Sequence, residues 1–165
     1  MDALVAFKKV QQIPYRIQLS ISEGDYSCTG KAAQLKELLE KAGYKVRYIV
    51  CEFRWSDLGL PQNLLNVKHE DSCTHTYLEA FIDGKWIKID PTWDSALHRI
   101  LPVATWNGKS DTVLAVKPFN TFSAQKSAEI MSNVNDSEVL EDLKKNGAFY
   151  KAFNDWLEIE RTHAK

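Results

Sequence analysis

The sequence predicts an α+β fold, with an antiparallel sheet packed against a helix and a helical C-terminal third. Three observations support this prediction. A helical repeat of apolar residues precedes a strand-like run of β-branched and aromatic residues. A strong hairpin signal follows near the middle of the chain, and helical periodicity returns near its end. Hairpin strands are antiparallel, so the order of helix, strand, hairpin and helices indicates the α+β class.

The composition is typical of one ordinary domain, predicted to span residues 1–165. The chain is 44% hydrophobic and holds 5 Trp, 6 Tyr and 7 Phe, enough for a core without disulfides or a structural metal. The net charge is -1 and no Lys/Arg run stands out, so neither nucleic acid nor a membrane surface is expected as a partner. No apolar run approaches the roughly 20 residues that span a bilayer.

The cysteine count bears on the cellular compartment. Three cysteines at irregular spacing do not form a disulfide framework, so a reducing, cytoplasmic setting is expected. The N-terminal stretch MDALVAFKKVQQ interleaves charged and apolar residues, which is not the layout of a signal peptide.

The first half of the chain alternates helix and strand signals. Apolar residues recur at helical spacing after Cys28, with Lys31 and other charged residues mostly on the opposite side, and Gly43 is a natural residue to follow this helix. The predicted elements are a helix over 2–12, a strand over 15–21, a turn over 22–25, the helix that begins near Cys28, and a strand over 44–53.

The second half begins with a long predicted loop and ends in helices. The predicted elements are a loop over 54–71, hairpin strands over 73–82 and 85–89, a further strand pair over 100–105 and 112–116, and helices over 123–132 and 137–161, the latter capped by Ser137.

The hairpin places an imidazole beside a carboxylate. If Asp83-Gly84 is a two-residue loop, side-chain alternation puts His75 and Tyr77 on the same face as Asp90. His75 and Asp90 are then diagonal neighbours about 7–8 Å apart at Cα, within side-chain reach. The other face is apolar and carries Leu78, Ala80, Ile82, Ile87 and Ile89.

A histidine held by a carboxylate is part of a nucleophilic triad, and Cys28 is the best candidate for the nucleophile. The free N–H groups and positive end of a helix favour a thiolate and can stabilise an oxyanion. Taken singly, a helix-start cysteine is more often inert and a strand histidine is usually structural. The three residues in this order form a more specific pattern than any one of them.

The remaining cysteines offer weaker alternatives. Cys73 lies two residues before His75 and is a second candidate nucleophile, but a strand gives it no helix-end activation. Cys73 and His75, joined by Cys28 or Cys51, are ligand types for zinc, yet the tight Cys pairs of zinc sites are absent. Neither a metal nor any other cofactor is therefore expected, and Cys51 is predicted to lie in the core.

These residues resemble the transglutaminase-like family, whose fold is related to the papain-type cysteine proteases. The resemblance covers about residues 15–95, where Cys28 opens a helix in DYSCTGKAAQLKELLEKAGYKV, His75 opens a strand in THTYLEAFIDGKWIKIDPTWD, and Asp90 begins DPTWD. It implies a Cys28–His75–Asp90 triad and acyl transfer on a peptide or protein amide. Thr76 and Tyr77 stand where the family commonly has a small residue and Trp, and Tyr26 where it has Gly.

Several features of the site stay open at this level. Trp55, Tyr77 and Trp93 are the predicted substrate-binding residues, although aromatic residues in small domains are also common in cores. The upstream oxyanion partner is Tyr15, Gln18 or Tyr26. Water as the acyl acceptor would give a peptidase or amidase, and an amine would give a transglutaminase. The alternative from another class is a non-catalytic domain of the same fold that binds peptides or proteins.

Overall fold

The computed structural model describes residues 2–165 and has an α+β architecture, as predicted. Five predicted elements before the C-terminal part are confirmed: the helix over 2–12, the helix that begins at Cys28, the strand over 44–53 and the two hairpin strands. Two helices form the C-terminal part, as predicted. The elements in chain order are α1 (Ala3–Gln11), α2 (Cys28–Lys41), β1 (Val46–Arg54), a 3-10 helix (Trp55–Leu58), α3 (Gln62–Leu65), β2 (Ser72–Ile82), β3 (Lys85–Ile89), a 3-10 helix (Ser95–Leu97), β4 (Asn120–Thr121), α4 (Ala124–Ser132) and α5 (Asp136–His163).

The sheet has four antiparallel strands in the order β3-β2-β1-β4. Asp83 and Gly84 form the turn between β2 and β3, with φ values of 48° and 81°. Positive φ at both positions is what a two-residue turn of this hand requires, which explains the Asp-Gly pair. Ile82 pairs with Lys85, so the predicted hairpin register is confirmed.

Two hydrophobic clusters hold helices against the sheet. The predicted apolar face of the hairpin is buried against α1 and α2, where Ala32, Leu35 and Leu39 contribute the helix side. A second cluster contains the aromatic residues of α5. Its buried aromatic members are Tyr15, Phe53, Trp55, Tyr77, Trp93, Phe149, Tyr150 and Phe153. The helix that begins at Cys28 is therefore fixed along its length by one core, and α5 by the other.

Three predictions about irregular segments are wrong. Residues 15–21 form no strand and make only an isolated bridge between Arg16 and Tyr26. Residues 100–105 and 112–116 form no strand pair, because Thr112 and Ala115 donate their N–H groups to the Lys88 carbonyl and the Asp90 carboxylate. The segment 54–71 is not wholly loop, since a 3-10 helix and α3 lie within it.

The start of α5 also differs from the prediction. Asn135, and not Ser137, caps this helix, because its side chain accepts the N–H of Glu138 at 3.1 Å. Both residue types are good caps, and Ser137 falls inside the first turn.

The strand β4 has only 2 residues, too few to show the alternation that predicts a strand. Within residues 2–165, no helix combines the length and apolar character needed to cross a bilayer.

Candidate active site

Cys28 is the first residue of α2. The preceding residue, Ser27, is extended, and its hydroxyl donates to Asp25 instead of capping the helix. The first N–H groups of α2 have no acceptors within the helix and lie next to the Cys28 side chain. The thiol therefore lies at the positive end of a helix, as the sequence predicts.

His75 and Asp90 form a buried pair. His75 Nε2 lies 2.8 Å from Asp90 Oδ2, and the two side chains are 3% and 0% exposed. The Asp90 carboxylate also accepts the N–H groups of Thr92 at 3.1 Å and Ala115 at 2.8 Å. Three donors hold the carboxylate, so it is well placed to fix the orientation and tautomer of the imidazole.

The electrostatics of this pair favour charged forms. Burial lowers the pKa of His75, but Asp90 and then Cys28 oppose it through charge and hydrogen bonding and raise the pKa from 6.5 to about 10. Burial raises the pKa of Asp90, and the charge and hydrogen bond of His75 reverse this, so the pKa of the carboxyl lies below its usual 3.8. An imidazolium beside a carboxylate is therefore expected at neutral pH.

Cys28 and His75 line one cavity of about 170 Å³. Trp55 and Trp93, two of the predicted substrate-binding residues, are in its wall, and each is 3% exposed. Tyr77, the third predicted substrate-binding residue, is not in this wall and lines a separate cavity with Arg47. The cavity wall also includes Tyr15, Ile17, Ser27, Thr29, Phe53, Cys73, Thr74, Thr92, Val116, Asp142 and Tyr150.

The other two cysteines are poor nucleophiles. Burial, with smaller contributions from nearby charges, raises the pKa of both Cys51 and Cys73 to about 12. Cys51 is fully buried in the core, as predicted. Cys73 shares the cavity with Cys28 but lies on a strand, without free helix N–H groups beside it. Among residues 2–165 no group of three or more His, Cys, Asp or Glu side chains is arranged to hold a metal ion.

The three upstream oxyanion candidates occupy different places. Tyr15 is 5% exposed and lines the Cys28 cavity. Gln18 lines a neighbouring cavity and donates to the Ser20 carbonyl, and Tyr26 is 44% exposed. Burial, and next the charge of Cys28, raise the pKa of Tyr15 well above 10.0, so its phenol remains a proton donor. Tyr15 is the only one of the three in the cavity wall.

Lys31 lies beside the site, and the sequence pattern does not predict its burial. It lies on the face of α2 predicted to be polar and solvated, yet it is 0% exposed. Its Nζ donates to the carbonyls of Gln11, Ile13 and Thr92 at 3.1, 2.7 and 2.8 Å. Burial lowers its pKa from 10.5 to about 7, opposed by Asp94 and Asp90. Lys31 thus ties α2 to the segment that follows Asp90.

Asp94 and Arg161 connect the same segment to α5. Arg161 donates to both Asp94 oxygens, with the shorter distance 2.7 Å, and to the Tyr15 carbonyl at 2.9 Å. Asp94 also accepts the Tyr15 N–H at 3.0 Å. The backbone N–H of Tyr15 is therefore held by Asp94, and its carbonyl by Arg161. No sequence pattern indicates this contact, because Arg161 is 67 residues from Asp94.

Comparisons with protein-family models, curated protein sequences and solved structures found no match for this chain. The resemblance to the transglutaminase-like family therefore rests on the motifs around Cys28, His75 and Asp90 in the sequence.

Proposed function

We propose that this chain is a transglutaminase-like cysteine hydrolase that cleaves amide bonds with Cys28 as nucleophile. One observation carries the proposal: the buried hydrogen bond of 2.8 Å between His75 and Asp90, in a histidine whose ring lines the same cavity as a helix-start thiol. The charges support it, because a raised His75 pKa favours an imidazolium that can share its proton with the Cys28 sulfur.

The proposed reaction has two halves. The Cys28 sulfur attacks the amide carbonyl carbon, and His75 gives its proton to the leaving amine as the C–N bond breaks, leaving a thioester. Water then attacks the thioester carbonyl while His75 takes its proton, and the thiolate leaves to regenerate the enzyme. Asp90 keeps the imidazole oriented in both halves.

The developing oxyanion has two sources of stabilisation. The first N–H groups of α2 lie beside the Cys28 side chain, where a tetrahedral intermediate would form. The Tyr15 phenol lines the same cavity and keeps its proton at neutral pH, so it is a suitable side-chain donor. Tyr15→Phe should therefore lower turnover without changing the shape of the cavity wall.

Turnover of a glutamine-containing peptide library tests the proposal. Cys28→Ala and His75→Ala should reduce product release to background, whereas Cys73→Ala should retain most of it, because Cys73 is the matched thiol without helix-end activation. Asp90→Asn should cost on the order of 10- to 100-fold, since it keeps the shape but removes the charge that supports the imidazolium. Thermal melts of every variant separate loss of chemistry from loss of fold.

A binding module on the same fold is the outcome that would replace the proposal. It would be supported if wild type and His75→Ala released identical traces of product from the library. If Cys73→Ala loses turnover while Cys28→Ala keeps it, the nucleophile is Cys73, and the proposed role of Cys28 is rejected.

A further inference from the structure

The segment that carries Tyr15 has little regular structure of its own. Residues 13–27 contain no α-helix and no strand of the sheet, and they make one isolated bridge among themselves. Tyr15 and Ile17 of this segment line the Cys28 cavity. Burial, and next the charge of Cys28, raise the pKa of Tyr15, so its phenol oxygen lies within electrostatic range of the sulfur. Because no ladder holds this backbone, the position of the phenol depends on contacts from other elements.

Arg161 and Asp94 hold the backbone of Tyr15 together. Arg161 Nη2 donates to the Tyr15 carbonyl at 2.9 Å and to Asp94 Oδ2 at 2.7 Å. The same Oδ2 accepts the Tyr15 N–H at 3.0 Å. The peptide N–H, the carboxylate, the guanidinium and the peptide carbonyl therefore form a closed ring of contacts. The Arg161 and Asp94 side chains are only 12% and 6% exposed, so water weakens these charge-assisted hydrogen bonds little.

Two neighbours of Arg161 on α5 contact the same segment. Asn154 accepts the Ile17 N–H at 2.9 Å and donates to the Ile17 carbonyl at 2.8 Å. The Phe153 ring packs edge-on against the Tyr15 ring, with centroids 6.3 Å apart. Arg161 follows these two residues by about two turns, so all three side chains lie on one face of the helix. This face of α5 fixes the segment that the backbone alone does not order.

We propose that Arg161 is a positioning residue for acyl transfer, and that it acts by holding the Tyr15 phenol where the oxyanion develops. The inference rests on the proposed function and adds a residue to it. A donor to an oxyanion must be held within about 0.5 Å of its productive position. A guanidinium suits this task, because its planar, rigid fork serves a carboxylate and a carbonyl at once. The role gives α5 a part in the reaction, although it lies outside residues 15–95 that carry the family resemblance.

Acylation of Cys28 by p-nitrophenyl acetate tests the inference without a peptide sequence. The Cys28 sulfur bonds to the ester carbonyl carbon, the carbonyl oxygen takes the negative charge, and nitrophenolate leaves as the C–O bond breaks. The absorbance of nitrophenolate gives the rate. Alkylation of Cys28 by iodoacetamide is the matched reaction, because the same thiolate displaces iodide from a saturated carbon and no oxyanion forms.

The expected result is a loss of acylation that depends on the Tyr15 hydroxyl. Arg161→Gln should lower the acylation rate on the order of 10-fold, because it misplaces the donor without removing it. Tyr15→Phe should lower this rate about 100-fold. The double variant should be about as slow as Tyr15→Phe alone, whereas independent effects would multiply to about 1000-fold. Alkylation of Cys28 should stay within about 2-fold of wild type in all three variants.

Two further variants control for charge and for folding. Glu158→Gln is the matched control, because Glu158 accepts from the same guanidinium at 2.7 Å but has a side chain 68% exposed. It should change acylation by less than about 2-fold. Arg161→Lys keeps a positive charge beside Asp94 and replaces Arg161→Gln in the same comparison if that variant fails to fold in thermal melts. A single ammonium cannot reproduce the fork, so Arg161→Lys should lower acylation about 3-fold.

The outcomes separate this inference from the proposed function. The inference is overturned if the losses from Tyr15→Phe and Arg161→Gln multiply, if Arg161→Gln acylates like wild type, or if it slows alkylation as much as acylation. A coupled loss, in a protein that releases no product from the glutamine-containing peptide library, supports the role of Arg161 and rejects amide hydrolysis. A wild-type protein that releases nitrophenolate no faster than Cys28→Ala rejects both.

Discussion

Lys31→Met is expected to expose a pH dependence of stability that is cancelled in the wild-type protein. The substitution keeps a long apolar stem and removes the ammonium group that donates to three backbone carbonyls. Burial lowers the pKa of Lys31 from 10.5 to about 7, so between these values the unfolded chain binds more protons than the folded one. Lys31 therefore makes the folded state more stable as pH rises through this window, by ~1.4 kcal/mol per pH unit.

His75 acts with the opposite sign. Its pKa is raised from 6.5 in the unfolded chain to about 10, so its contribution to stability is fully present below 6.5 and is lost as pH rises to 10. The two windows overlap from about pH 7, and the slopes nearly cancel. Lys31→Met removes the rising slope and leaves the falling one, so the variant should lose ~1.4 kcal/mol of unfolding free energy between about pH 7 and 8.

Urea unfolding followed by tryptophan fluorescence measures this effect. Wild type, Lys31→Met and Lys41→Met are compared at several pH values between about 7 and 8, where the cysteines of the unfolded chain are still mostly protonated. Lys41 lies on the same helix with a side chain 69% exposed, so its variant should keep the flat wild-type profile. A flat profile for Lys31→Met as well would refute the opposed titration of Lys31 and His75.

Two further predictions concern the start of α2. Iodoacetamide at neutral pH should label Cys28 first, because burial raises the pKa of Cys51 and Cys73 to about 12 and keeps them as thiols. Mass spectrometry of the labelled protein measures this order. Equal labelling of all three cysteines would contradict the prediction. Gly30→Ala should destabilise the protein by more than ~2 kcal/mol and displace Cys28, because the added Cβ would lie 1.8 Å from a backbone oxygen of the preceding loop. Gly147→Ala is the matched helical control, because the Cβ added there lies no closer than 4.0 Å to a neighbouring side chain. This change should stabilise the protein by ~0.5–1 kcal/mol in thermal or urea unfolding. Similar effects of the two substitutions on stability would reject the close approach at Gly30.

The parts of the fold that the sequence predicts are those set by local rules. The hairpin register follows from the Asp83-Gly84 turn and from alternation along the strands, and these two rules alone bring His75 to Asp90. The start of α2 at Cys28 follows from the apolar repeat after a turn. Each of these inferences needs only residues within about one hairpin or one helix.

The parts that the sequence does not predict depend on contacts between distant segments. Helical periodicity predicts α5 but not the face of the sheet that it covers, so the arrival of Asp142 and Tyr150 at the Cys28 cavity leaves no local signal. Lys31 is misplaced for a related reason. Its three acceptors are carbonyls at a helix end and in irregular segments, and backbone carbonyls have no residue type that marks them.

The failed strand predictions and the charges of the site have a common explanation. Segments 13–27 and 90–116 contain no α-helix or paired strand, so their backbone N–H and carbonyl groups need other hydrogen-bond partners. Charged side chains supply several of these partners: Lys31 serves three carbonyls, Asp94 the Tyr15 N–H, and Asp90 the N–H groups of Thr92 and Ala115. The charges around the cavity therefore stabilise the irregular backbone that surrounds it.

Asp90 shows what this double use implies for mutagenesis. One carboxylate oxygen accepts from His75 and Ala115, and the other accepts from Thr92. An asparagine has only one acceptor oxygen, so its NH₂ group must face a donor on one side and leave at least one buried N–H unpaired. That loss costs about 1–3 kcal/mol of stability, separately from any effect on the imidazolium. Turnover of Asp90→Asn is therefore interpretable only at a temperature where its melt shows the folded state, and a variant that melted like wild type would contradict the role of Asp90 in holding the backbone.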